Sequence, residues 1–497
     1  MATARQHDRH GAPGKLAICL LTAEVAPLSK TGGLADVAGG LTRYLHAAGH
    51  DVRLFSPCYS SIDRAAFGAE PLAALSNVPL AVGPHSYVFS VLRAVLPGGA
   101  HAYLIDCPPL YARGAIYTAD ADEHVRFLAF TRAALLACQR LGWAPQVLHC
   151  HDWHAAFAPL FVQTLRDEPG FAATRTLLTI HNIGYQGIFA AAQAADLGLP
   201  SLGLLHQPDL AAGYINALRH GILHADAINT VSPTHAREIC SREYGMGLED
   251  SLRLRAAAGE VSGILNGVDY DEWDPRHDRY LPAHYDAARL GVKAQLKREF
   301  RVHRQLPAAP EVPLLGLVSR LALQKGIELM FEALPRVLSE RALSFAVLGS
   351  GEPQYEEFFA TLQRRFPGRV AFHDGYDDEL AHWIEAASDM FLMPSRYEPC
   401  GLNQMYSLRY GTAPIVRRTG GLADSVEHYD PRHGTGTGVV FDDFTTEALV
   451  WALNYALDLY GQPAHWTRMV VNGMQRDFSW QRQGALYVEL YRRLTAA

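Results

Sequence analysis

Residues 16–37 read LAICLLTAEVAPLSKTGGLADV. An apolar run of strand length turns through Lys-Thr-Gly-Gly into a segment where Leu34, Val37, Ala38, Leu41 and Leu45 mark one helix face. A buried strand, a glycine turn and an amphipathic helix make one βα unit, the building block of a parallel sheet. Near the far end, residues 413–426 read APIVRRTGGLADSV, which repeats the arrangement with the same Thr-Gly-Gly-Leu-Ala-Asp letters.

Working outward from these stretches, strand-length apolar runs recur at 52–58, 102–107, 146–151, 176–182 and 227–232, separated by helix-period segments. A second series follows Asn266, at 314–320, 343–351, 369–375 and 389–395. The chain has 497 residues, beyond the roughly 250–300 at which one core stops growing. Two doubly wound α/β domains are therefore expected, with ligands at the carboxyl ends of the strands in the crevice between them. The polar, proline-rich stretch 281–313 reads as a surface connection within the second domain. Residues 480–494 read as an amphipathic helix with Leu486, Val488, Leu490, Tyr491 and Leu494 on its docking face.

A formal net charge of -7 without long single-sign runs argues against a nucleic-acid or anionic-membrane surface. Seven cysteines without paired spacings read as reduced thiols. The polar first fourteen residues lack a secretory core, and residues 16–25 are too short to span a bilayer, so the cytoplasm is expected.

Each Gly-Gly loop has two readings. Its amides and the following helix start can cradle an anion, with Lys30 or Arg418 adding charge, or the glycines can simply serve a tight turn. Arg320 and Lys325 in VSRLALQKG follow a strand and suit a diphosphate. Glu398 in YEPCGLNQ can bind sugar hydroxyls or cap a helix, with the Gly401 and Leu402 amides open to phosphate. His149, Cys150, His151, Asp152 and His154 have ligand chemistry for zinc, but successive strand residues point to opposite faces, and no metal is expected. A Cys400–His181 nucleophilic pair lacks an orienting third member.

Together these motifs resemble the bacterial glycogen synthases and plant starch synthases of glycosyltransferase family 5. They are AEVAP, KTGGLADV, HDWHA, TIHNIGYQGIF, TVSPTHAREI, GILNGVD, SRLALQKG, GSGEPQYE, PSRYEPCGLNQ, RYGTAP and TGGLADSV. The resemblance implies a GT-B fold of two Rossmann-like domains facing a cleft: a flexible terminus at 1–14, domains at 15–260 and 261–478, and a C-terminal helix at 479–497 returning to the first. It implies retaining transfer of glucose from ADP-glucose to the nonreducing end of an α-1,4-glucan, glycogen or maltooligosaccharide, without cofactor or metal.

By the same resemblance the catalytic set is Asp152, His181, Arg320, Lys325 and Glu398. Lys30, Thr31, Gly32 and Gly33 face the diphosphate and glucose, with His154, Asn182 and Asn266 on the glucose side. Cys400, Gly401 and Leu402 hold glucose hydroxyls and phosphate. Thr419, Gly420 and Gly421 shape the glucose or acceptor side, and Tyr111 serves the acceptor or the nucleotide. His235, Arg219 and Thr42 depart from the residues usual in the family. Two rival readings are a UDP-glucose-dependent transferase of the same fold and an inactive glucan-binding homologue.

Overall fold

The computed structural model describes residues 14–168, 170–307 and 309–496. The terminus expected to be flexible at 1–14 therefore lies, but for Gly14, outside the described residues. Unit 1 runs to Thr230 and takes in Ile239–Ile264 and the chain from Gln483; unit 2 is Val231–Glu238 with Leu265–Arg482. The boundaries drawn from sequence at 260 and 478 stand against 264 and 482, and they gave no sign that Val231–Glu238 belongs with unit 2. Hydrogen bonds account for that excursion: Ser232 Oγ donates to the Pro399 carbonyl (2.7 Å), and Thr234 N donates to Asp424 (2.7 Å).

Unit 1 contains β1 (Ala17–Leu21), β2 (Asp51–Pro57), β3 (Glu70–Pro71), β4 (Val78–Val82), β5 (His85–Val95), β6 (His101–Asp106), β7 (Val147–His151), β8 (Arg175–Ile180), β9 (Ile188–Ala190), β10 (Tyr214–Asn216), β11 (Ala227–Thr230) and β12 (Val261–Gly263). Its parallel strands lie in the order β6-β2-β1-β7-β8-β11-β12, with β5 and β3 added antiparallel beyond β6. Ile18 in β1 pairs with Val52 on one side and Val147 on the other, so the first strand is central. Residues 18–21 are fully buried, as a strand covered on both faces requires.

Unit 2 contains β13 (Leu314–Val318), β14 (Ser344–Gly349), β15 (Val370–Asp374), β16 (Met390–Met393), β17 (Ala413–Arg417) and β18 (Val439–Phe441), all parallel in the order β15-β14-β13-β16-β17-β18. Gly316 lets the helix Asp378–Ala387 close on the middle of β13, since a Cβ there would meet Ser388 Oγ at 2.6 Å. Both sheets thus have the doubly wound order, which reverses between β1 and β7 in unit 1 and between β13 and β16 in unit 2. Those switch points are where open α/β sheets bind ligands.

Two expectations change. The stretch 281–313 is not a surface connection, because its helix Leu290–His303 buries Lys293, Lys297 and Arg301 in unit 2. Their stems lie along apolar surface while the charged ends find partners. Lys293 Nζ donates to the Glu385 and Ala386 carbonyls and to Thr412, and Lys297 pairs with Asp389 at 2.6 Å. The C-terminal helix Trp480–Ala496 docks through Tyr487, Val488, Leu490 and Tyr491, and Leu486 is exposed. Tyr491 Oη lies 2.8 Å from His149 Nδ1 in unit 1.

Candidate active site

In unit 2 the chain leaves β13 through Arg320 and a 3-10 turn, Leu323–Lys325, and leaves β16 towards Glu398. Lys325 Nζ lies 2.7 Å from Glu398 Oε2, so the pair spans the switch point. Ser395 Oγ donates to the same oxygen at 2.9 Å, and Glu398 is only 4% exposed. Gly326 adopts φ 67°, and a side chain there would strike the Pro394 carbonyl at 2.1 Å. The glycine thus holds the lysine loop against the strand that carries the glutamate. Arg320 is exposed, and among the described residues its guanidinium has no hydrogen-bond partner. An unpaired fork donor on the same connection as a positioned ammonium suits a diphosphate.

The Cys400–Leu402 turn leads into the helix Asn403–Tyr410. Burial pushes the Cys400 thiol up to about 12, which rules it out as a nucleophile near neutrality. Its sulfur instead accepts from Asn266 N at 3.5 Å. Asn266 Oδ1 is buried without a hydrogen-bond partner among the described residues, the signature of a group held for a ligand.

The second Gly-Gly loop belongs to packing. Thr419 Oγ1 (3.0 Å) and Gly420 N (2.9 Å) both donate to Glu238 Oε1, and Gly421 N donates to the Glu398 carbonyl at 3.0 Å. A Cβ on Gly420 would sit 1.9 Å from the Glu398 carbonyl oxygen, and one on Gly421 2.1 Å from that of Cys400. Thr419, Gly420 and Gly421 are thus tied to Glu238 and to the turn that carries Glu398. They press against and support the glutamate turn.

In unit 1 the Lys-Thr-Gly-Gly loop follows β1. Glu24, at the end of that strand, accepts from Thr31 N, from Thr31 Oγ1 (2.8 Å), from Gly32 N (3.3 Å) and from the Tyr117 hydroxyl. Lys30 pairs with Asp36 at 2.8 Å and remains half exposed. Around Gly32 nothing lies within 4 Å of a built Cβ, and its φ of -161° is open to any residue. Its lack of a side chain serves no contact within the protein, which leaves room for a ligand. Gly33 begins the helix Gly33–Ala47.

Across the unit 1 switch point, Asp152 follows β7 with φ 54°, a left-handed conformation uncommon outside glycine. That turn aims Oδ1 at the amides of His181 (2.7 Å) and Asn182 (3.3 Å), which follow β8. Burial nevertheless raises its carboxyl to about 7, outweighing both hydrogen bonds. His181 is pulled down to about 3 by burial and is therefore neutral. Its Nε2 lies 2.8 Å from His151 Nδ1. His154 stacks on Tyr117 with ring centroids 4.9 Å apart. Asn182 Oδ1 accepts from Gly184 N at 3.0 Å and so shapes its own turn.

Tyr111 is a correction: it is fully buried and its hydroxyl donates to the Arg126 carbonyl at 2.9 Å, so it is a core residue. The tyrosine that meets the first Gly-Gly loop is Tyr117, through Glu24, and sequence reasoning passed it over together with Glu24, His151 and Glu238. The unusual residues at 235 and 219 have partners, His235 with Glu238 (3.4 Å) and Arg219 with Asp209 (2.9 Å). Thr42 Oγ1 donates to the Ala38 carbonyl at 2.7 Å within the first helix.

Comparison with known proteins bears on the family and the fold. Residues 17–254 match the starch synthase catalytic domain, and residues 299–470 match glycosyl transferases group 1. The glycogen synthase of Koribacter versatilis is 42% identical, over 95% of this chain and 97% of its own. That of Thermotoga maritima is 39% identical, over 96% of this chain and 99% of its own. The catalytic domain of starch synthase IV from Arabidopsis thaliana, solved with ADP and acarbose, superposes with a TM-score of 0.89 at 33% identity, covering 97% of this chain and all of that one. With its two doubly wound α/β units of the GT-B fold, the chain belongs to the glycogen synthase and starch synthase family of glycosyltransferases.

Proposed function

We propose that the chain is a glycogen synthase that transfers glucose from ADP-glucose to the nonreducing end of an α-1,4-glucan, with retention at the anomeric carbon. The Lys325–Glu398 pair, set at a strand-order switch point with the unpaired Arg320 on the same connection as the lysine, is the observation that carries this reading. Support also comes from the family and from the ADP and acarbose bound by the Arabidopsis relative.

As the bond from glucose C1 to the β-phosphate breaks, negative charge grows on the departing ADP. Arg320 and Lys325 meet that charge as fixed groups, so no metal ion is needed. Asp152 and the neutral His181 face the sugar, whose anomeric carbon becomes cationic. Glu398 orders Lys325 and reaches the glucose hydroxyls, and Asn266 Oδ1 accepts a further hydroxyl proton. The acceptor oxygen bonds to C1 on the face ADP leaves, and its proton passes to the departing phosphate oxygen. Double displacement would need a carboxylate free to attack and an acid about 5 Å away. Here Asp152 holds two backbone amides and Glu398 holds Lys325.

We place the activity in the cytoplasm, in keeping with seven cysteines that all stand as free thiols. The test of function is product analysis with ADP-glucose and maltooligosaccharide. One ADP should appear per glucose added, and proton NMR should find only new α-1,4 linkages. Free glucose without elongation, or a β linkage, would overturn the assignment.

A further inference from the structure

Asp378 and His382 stand four residues apart on the helix Asp378–Ala387 of unit 2, a spacing that puts both side chains on one face. Glu272, on the segment that follows Asn266, joins them: one donor atom from each of Glu272, Asp378 and His382 lies within 4.8 Å of the others. His382 is fully buried, and its Nδ1 lies 2.8 Å from Asp278 Oδ2. Its Nε2 has no hydrogen-bond partner among the described residues. A buried, orphaned ring nitrogen is costly unless a partner arrives. An imidazole whose Nδ1–H is taken by a carboxylate offers a lone pair at Nε2, the arrangement of most metal-bound histidines.

We propose that Glu272, Asp378 and His382 form a binding site for a divalent transition-metal ion of the zinc class, with Asp278 orienting the imidazole. One nitrogen and two carboxylate ligands suit Zn²⁺, whereas Mg²⁺ and Ca²⁺ favour oxygen-only sets. Zinc bonds to nitrogen and oxygen of about 2.0–2.2 Å at tetrahedral angles set ligand atoms roughly 3.3–3.6 Å apart. Atoms that lie within 4.8 Å of one another reach that spacing by closing about an ångström, a side-chain movement within the range of the exposed Glu272 and the half-buried Asp378. His382 cannot wander, because its ring stacks on Trp273 at 3.7 Å between centroids.

Asp378 is already oriented by the hydroxyls of Tyr280 (2.7 Å) and Tyr376 (3.0 Å). Arg279 lies 3.9 Å from the same carboxylate, is 72% exposed and donates to the Tyr280 hydroxyl at 2.8 Å, so an entering cation takes over the position of this guanidinium. An ion here would tie the segment carrying Glu272 and Trp273 to the helix Asp378–Ala387. None of its ligands belongs to the groups assigned to sugar transfer, so its role is structural.

The test is calorimetric titration of the full chain with ZnCl₂ after stripping with chelator, together with thermal melting and tryptophan emission. Twenty-three histidines make stoichiometry alone a weak measure, so the comparison with Glu272→Gln and Asp378→Asn decides. Both variants change side chains at the surface end of the site, and equal melting of the zinc-free proteins verifies their folding. Expected is one equivalent that raises the melting temperature and alters emission from Trp273, with affinity falling roughly tenfold or more in each variant. No binding in the wild type, or equal affinity and emission change in both variants, would overturn the proposal.

Discussion

Lys325 Nζ and Glu398 Oε2 lie 2.7 Å apart across the point where the strand order of unit 2 reverses. If the ammonium is there for the leaving diphosphate, Lys325→Ala should lower kcat/KM by on the order of a hundredfold or more, about 3 kcal/mol of transition-state stabilisation. Its side chain is 19% exposed, so the melting temperature should fall by only a few degrees. Steady-state kinetics beside calorimetric melting separates the two effects. Near-wild-type kinetics would remove Lys325 from the reaction.

The two Gly-Gly loops should respond in opposite ways to one added methyl group. Gly32→Ala has open space and an unstrained backbone, so it should melt like the wild type yet lose most donor binding. Gly420→Ala forces a Cβ against the Glu398 carbonyl at φ 44° and should cost about 2–4 kcal/mol of stability. A Gly32→Ala variant with unchanged KM for donor would return the first loop to a purely steric role.

Glu238 caps the start of the helix Gly420–Ser425 through Thr419 and Gly420, while Asp424 of that helix bonds Thr234 N at 2.7 Å. Glu238→Ala removes one side of this reciprocal cap. It should destabilise unit 2 by about 1–2 kcal/mol in denaturant titration.

Burial raises Asp152 to about 7, so the sign of its pH effect runs opposite to that of a salt-bridged carboxylate. Holding it ionised costs stability that grows as pH climbs from the unfolded value, about 4, through 7. Asp152→Asn keeps an oxygen for the His181 and Asn182 amides. Above pH 7 it should be more stable than the wild type, by on the order of 2 kcal/mol. Activity should be lost, and the wild-type rate should fall on the acid side with an apparent pKa near 7. Equal pH–stability curves for the two proteins would show that Asp152 titrates normally.

If Arg320 and Lys325 take the place of a metal at the diphosphate, initial rates should be unchanged in excess chelator. Loss on chelation with recovery on adding Mg²⁺ would contradict this. A chelator effect on melting alone would instead belong to the Glu272–Asp378–His382 site.

The sheets were legible because strands buried on both faces must be continuously apolar, and residues 16–25 and 314–320 are. The placement of Lys325, Glu398, Asp152 and His181 after strand ends was legible because each follows an apolar run of strand length. What misled was the echo of letters. The first Thr-Gly-Gly follows β1, the first strand of unit 1, but the second follows β17, the fifth of unit 2. The position in unit 2 that matches the first loop is the Arg320–Lys325 stretch after β13, which shares none of its glycine pattern. Strand order comes from long-range pairing and leaves no local mark. Tyr117 and Glu24 meet across 93 residues of chain, so nothing near either one announces the other. Tyr111 looked equivalent until burial removed it.

The central claim is tested most directly by offering ADP-glucose and UDP-glucose, each radiolabelled in the sugar, with glycogen as acceptor. Label should enter glycogen from ADP-glucose far faster than from UDP-glucose, with ADP released in step. Preference for UDP-glucose, or glycogen binding without transfer from either donor, would contradict the account.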